Sequence, residues 1–119
     1  MTLLKTIKTS NLGEGKHSRL APERKIEGDP LLILWEQDID SKNINTGVFK
    51  AEPGLSVSRK GSRYEFCYIL EGVVEICEEG GEATVYRAGD AFVMKPGFVG
   101  TWRTIETVKK IYVAIDQAA

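Results

Sequence analysis

From residue 31 onward, apolar and polar positions alternate in short runs separated by turn residues. Residues 31–35 (Leu-Leu-Ile-Leu-Trp) form a compact apolar run, and residues 46–52 alternate up to the strong turn signal Pro53–Gly54. Further runs follow at 55–59, 63–72, 72–77, 83–87, 91–94, 100–105 and 109–115, punctuated by Lys60-Gly61-Ser62, Ala88-Gly89-Asp90 and Lys95-Pro96-Gly97. No stretch holds a helical period. Eight to ten short strands at this spacing predict an all-β fold, an antiparallel sandwich or barrel. Residues 1–30 lack this patterning. They read as an extended N-terminal arm with one short strand, closed by Gly28-Asp29-Pro30, and 31–119 as the folded domain.

The run Arg63–Gly72 carries the chemistry. Alternation places Arg63, Glu65, Cys67 and Ile69 on one face and Tyr64, Phe66, Tyr68 and Leu70 on the other. If the first face is interior, a carboxylate and a thiol enter the core together, and a buried charge needs a partner.

Length and charge narrow the functional classes. With 119 residues the chain suits one domain that folds without staples. Sixteen basic against seventeen acidic residues give a net charge of -1, so no field attracts nucleic acid or an anionic membrane. The sequence shows no membrane-spanning apolar run and no signal-peptide pattern, and a cytoplasmic location is expected. Cys67 and Cys77 are too few for a disulfide framework and match no zinc spacing. His17, the single histidine, lies in the polar arm and reads as solvated.

Two segments resemble the paired motifs of the cupin superfamily. The first runs from Gly54 to Gly72, with Glu65 ahead of Leu70-Glu71-Gly72. The second runs from Gly89-Asp90 to Trp102, with Lys95-Pro96-Gly97 at the usual Pro-x-Gly turn. Trp35, Thr46-Gly47-Val48, Pro53-Gly54, Gly97-Phe98, Gly100-Thr101-Trp102 and 108–112 extend the likeness over about 31–115. They narrow it to small cupins similar to the ureidoglycine aminohydrolase and ethanolamine-utilisation types. The resemblance implies a double-stranded β-helix jelly roll, often dimeric, with a ligand pocket inside the barrel.

Metal-binding cupins supply three histidines and one glutamate. Counted back from Glu65, the first two histidine positions hold Arg59 and Gly61, or Ser58 and Lys60 with a gap one residue longer; the third holds Gly100. Only Glu65 survives. One carboxylate does not hold a divalent ion against water, so no metal or other cofactor is expected, a divalent metal through non-standard ligands being the minor alternative.

Glu65 and Cys67 are the catalytic candidates, Glu65 as a general acid/base or ligand-orienting carboxylate and Cys67 as a nucleophile. The competing readings are an internal ion pair of Glu65 with Arg59, Lys60 or Arg63, and a buried, inert Cys67. Arg59, Lys60, Arg63, Gly100 and Trp102 are the expected pocket residues, with Gly100 leaving space beside the Trp102 indole. Arg103 and Glu52 are lesser polar candidates. Tyr64, Phe66 and Tyr68, on the opposite face, suit the interface of a homodimer. The expected partner is therefore a small-molecule ligand, with no nucleic acid and no membrane. The function is either an aminohydrolase-like enzyme acting on a small polar metabolite, or a non-catalytic binding or regulatory cupin that has lost its metal site. A structural dimer with a filled barrel is the third option.

Overall fold

The computed structural model describes residues 2–39 and 43–117. Among these residues nine strands follow one another: β1 (Lys16–Arg19), β2 (Lys25–Glu27), β3 (Leu31–Asp38), β4 (Ile44–Ala51), β5 (Gly54–Arg59), β6 (Arg63–Glu78), β7 (Ala83–Arg87), β8 (Ala91–Met94) and β9 (Val99–Asp116). The one helical element among the described residues is a 3-10 turn at Pro22–Arg24. Every pairing is antiparallel.

Two long strands organise the roll. The sequence pattern divides 63–77 and 100–115 into four strands, yet β6 and β9 each run unbroken through the expected breaks. They pair with each other along almost their whole length, from Arg63↔Asp116 to Glu78↔Gly100. Register shifts between Ile69 and Val74 mark a corner, where bulges bend the ribbon without ending it. Gly72 occupies this corner with φ +91°, and a Cβ there would run into the carbonyl of Thr107. Only glycine meets both demands. What reads as a turn residue is thus the hinge of a continuous strand.

The corner makes two sheets from one ribbon. In one, the first half of β6 lies between β8 and the second half of β9, and β4, β3 and β1 extend it. In the other, the second half of β6 lies between β7 and the first half of β9, and β5 and β2 extend it. Their facing sides enclose Ala51, Ile69, Val74, Ile76 and Val108, flanked by Leu32, Phe49, Tyr86, Phe92, Phe98 and Trp102. This is the all-β jelly-roll barrel that the cupin resemblance implies.

The segment read as an arm holds two strands, not one. β1 pairs with the edge of β3, β2 with the edge of β5, and the 3-10 turn joins them across one end of the barrel. Both strands are exposed throughout. Polar contacts hold them: Arg19 Nη1 donates to the Asp29 carbonyl (2.6 Å), Lys25 pairs with Asp29 (2.8 Å), and Arg103 pairs with Glu27 (3.0 Å). Earlier residues lie along β3, where Gln37 exchanges hydrogen bonds with the backbone of Lys8 and Trp35 Nε1 donates to the Gly13 carbonyl.

Candidate functional site

Alternation on β6 turns Glu65, Cys67 and Ile69 inward and all three are buried, while Tyr64, Phe66 and Tyr68 look outward and are half-buried or exposed. The inward carboxylate is not alone. Lys60, in the turn between β5 and β6, places Nζ 2.9 Å from Glu65 Oε1. Lys110, on β9, places Nζ 2.7 Å from Glu65 Oε2. The side chains of Lys60, Glu65 and Lys110 are only 15%, 9% and 8% exposed, so two ammonium groups grip one carboxylate almost out of contact with solvent.

The cage extends into the core. Cys67 Sγ donates to Glu65 Oε2 at 3.2 Å, and Lys110 Nζ reaches the same sulfur at 3.4 Å. Lys110 Nζ also stands 4.3 Å from the ring centre of Trp102 and 5.1 Å from that of Phe49, within cation–π range of both. The Trp102 indole N–H is engaged by Thr104 Oγ1 at 3.0 Å, which sets the ring's orientation.

These neighbours decide the protonation states. Burial pushes the Glu65 carboxyl up, but the charges and hydrogen bonds of Lys110 and Lys60 outweigh it and hold the group well below the usual carboxylate range. Burial likewise opposes the charge on Lys110, yet Cys67 and Glu65 raise its pKa above that of an ordinary lysine. Burial, joined by the Glu65 charge, pushes the Cys67 thiol up to about 12. At neutral pH the site therefore holds one carboxylate, an ammonium at Lys110 and a neutral thiol.

Beside the cage lies a cavity of about 320 Å³, within the range of small-molecule sites. Leu32, Leu34, Phe49 and Trp102 form its apolar wall, and Ser58, Lys60, Glu65, Thr104 and Lys110 its polar floor. Arg63 sits at the rim, where Asp116 holds it at 2.8 Å. Ser18, Leu20, Arg24 and Pro30 close the end crossed by the N-terminal segment.

Of the residues picked out in the sequence, Glu65, Lys60, Arg63, Trp102 and the lesser candidate Glu52 thus meet at one cavity. The others do not. Arg59 points outward and is exposed; the inward pair is Ser58 and Lys60, the longer of the two counts back from Glu65. Gly100 opens no space beside the indole, because a Cβ there would collide with the Cys77 carbonyl and the Phe98 ring. Cys67 is fully buried and does not line the cavity, which fits an inert core thiol better than a nucleophile. His17 is exposed on β1, bonded to the Glu14 carbonyl at 2.8 Å. Arg103 is held by Glu27 at 3.0 Å, while Glu52, at the cavity, accepts from the Leu31 N–H at 2.8 Å and lies 3.9 Å from Arg19.

Lys110 is the residue that sequence reasoning missed. Alternation along 109–115 puts Lys110, Tyr112 and Ala114 on one face and Ile111, Val113 and Ile115 on the other, so the apolar face would be chosen as interior. Here the polar face is buried.

A divalent metal of the cupin kind does not fit these residues. Its four ligand positions carry Ser58, Lys60, Glu65 and Gly100, and both Glu65 oxygens already accept from ammonium groups. Among the described residues, no group of three or more His, Cys, Asp or Glu side chains stands together.

The fold agrees with comparisons to known proteins. The family model of the EutQ-like cupin domain matches residues 40–112. A protein with unknown function from Pseudomonas syringae superposes with a TM-score of 0.77 at 23% identity, over 87% of this chain and 45% of its own. A putative ethanolamine utilization protein Q from Salmonella typhimurium gives 0.64 at 17% identity, over 89% of this chain and all of its own (100%). A predicted oxalate decarboxylase from Thermotoga maritima gives 0.69 at 15% identity, over 94% of this chain and 99% of its own. The chain spans about half of the Pseudomonas protein (45%) and just under two thirds (64%) of the EutQ protein of Clostridium difficile. No curated protein matches the chain. With more than half of its length matched by that family model and the jelly roll in place, the chain belongs to the EutQ-like cupin family.

Proposed function

We propose that this cupin binds a small polar metabolite in the barrel cavity and does not turn it over by acid–base or thiol chemistry. The observation that carries the reading is the Lys60–Glu65–Lys110 cage beside a cavity of about 320 Å³. A general acid must hold a proton near neutral pH, and a general base must be basic enough to take one. Glu65 is held ionised with both oxygens engaged, which suits neither role. Its work is to fix two ammonium groups at the cavity floor. The aminohydrolase-like reading rests on resemblance, and this site offers it neither a proton donor at Glu65 nor a thiolate at Cys67.

Thermal shift against a metabolite library tests the proposal. A ligand present at a hundred times its Kd should raise Tm by about 10 °C. NMR of each stabilising compound, incubated with the protein, should show it unchanged. Product formation would contradict the binding reading, and a library in which nothing stabilises the chain would favour the filled structural barrel.

A further inference from the structure

The cage is not electrically balanced. Lys60 and Lys110 bring two positive charges and Glu65 one negative, all of them largely withdrawn from solvent. A surplus charge in a poorly solvated cavity is costly until an anion meets it.

Counting donors locates the surplus. Lys110 uses its three N–H groups on Glu65 Oε2, Cys67 Sγ and the Trp102 ring face. Lys60 lines the cavity and, among the described residues, donates only to Glu65 Oε1, which leaves two N–H groups for an occupant. Ser58 is buried, lines the same cavity and has no hydrogen-bond partner among the described residues. Its hydroxyl adds a neutral donor beside Lys60. The apolar side chains of Leu32, Leu34, Phe49 and Trp102 line the same cavity.

Resting on the binding reading above, we propose that the cavity takes a small monocarboxylate with a short apolar or aromatic body, its carboxylate seated on Lys60 and Ser58. One negative charge neutralises the surplus, and two carboxylate oxygens match the two kinds of donor. A phosphate dianion would overshoot the charge of the cage, the other unpaired lining cation among the described residues, Arg24, being exposed to solvent, and would press further oxygens against the apolar side chains. A neutral amide of the same shape would leave the surplus uncompensated.

Calorimetric titration with benzoate and isobutyrate, against benzamide, isobutyramide and inorganic phosphate, tests the proposal on the unaltered chain. The acids should bind at least about tenfold more tightly than their amides, as expected for a charge-assisted contact, and more tightly than phosphate. In Lys60→Gln the preference for acid over amide should vanish, and in Ser58→Ala it should shrink. Amides binding as well as acids, or phosphate binding better, would overturn the monocarboxylate proposal while leaving the binding reading intact. An undiminished acid preference in a folded Lys60→Gln would overturn the seat at Lys60. Silence from every probe would overturn the ligand class, and the binding reading falls with it only if the metabolite library is silent too.

Discussion

Glu65→Gln should destabilise the chain by about 3–5 kcal/mol, the usual result of removing one partner from a buried ionic cluster. The substitution is nearly isosteric, so the loss is electrostatic. Two ammonium groups, 15% and 8% exposed, would be left facing each other without an anion, and one of the two oxygens that accept from Lys60, Lys110 and Cys67 would become an NH2 donor. Lys110→Met should cost less, because Lys60 and Glu65 remain a balanced pair and the thioether can lie against Phe49 and Trp102. The double variant should then be more stable than the sum of the single losses implies, by about 1–3 kcal/mol. Urea unfolding of the four proteins checks this; simple additivity would show that the cage is not a unit.

The second large effect concerns alkaline pH. Cys67, pushed up to about 12 from 9.0, and Tyr112, pushed up to about 12 from 10.0, both through burial first, hold their protons longer folded than unfolded. Lys110 is also raised, because its anionic surroundings offset its burial. A group raised on folding contributes stability that is complete below its unfolded pKa and lost as pH rises through the folded one. Stability should therefore hold to about pH 9 and fall steeply from there toward 12, each tenfold gain in proton affinity on folding being worth about 1.4 kcal/mol. Glu65 behaves oppositely: its depressed pKa contributes stability that is complete above the unfolded value of 4.5 and is lost progressively as pH falls from there through the folded one. Denaturant midpoints from about pH 2 to about pH 11 read both limbs, because the acid loss lies below the unfolded carboxylate value and the alkaline loss above the unfolded thiol value. Cys67→Ala should show a shallower alkaline slope; an unchanged slope would mean that the thiol does not titrate in this range.

Much of the fold is legible in the sequence because antiparallel strands obey a local period. Glu65, Cys67 and Ile69 turn inward as alternation requires, and Pro53–Gly54 breaks the chain where expected. The continuity of β6 and β9 is not legible. Gly72 signals a turn in sequence, and only the nearby Thr107 carbonyl shows that it bends a strand instead. The site is half legible. Lys60 lies five residues from Glu65 and is an obvious partner, whereas Lys110 lies forty-five away and arrives through β6–β9 pairing. Its burial goes against the choice of the apolar face, since Ile111 and Val113 lie outward on β9. The position of the third histidine is another case: Gly100 reads as open space, but backbone from β6 fills it.

Two lysine ammonium groups stand at Glu65, where a metal-binding cupin holds its ion. Elemental analysis of purified protein, paired with melting curves before and after a strong chelator, tests this arrangement most directly. No stoichiometric transition metal and an unchanged Tm are expected. A metal bound one per chain, with Tm falling on chelation, would contradict it.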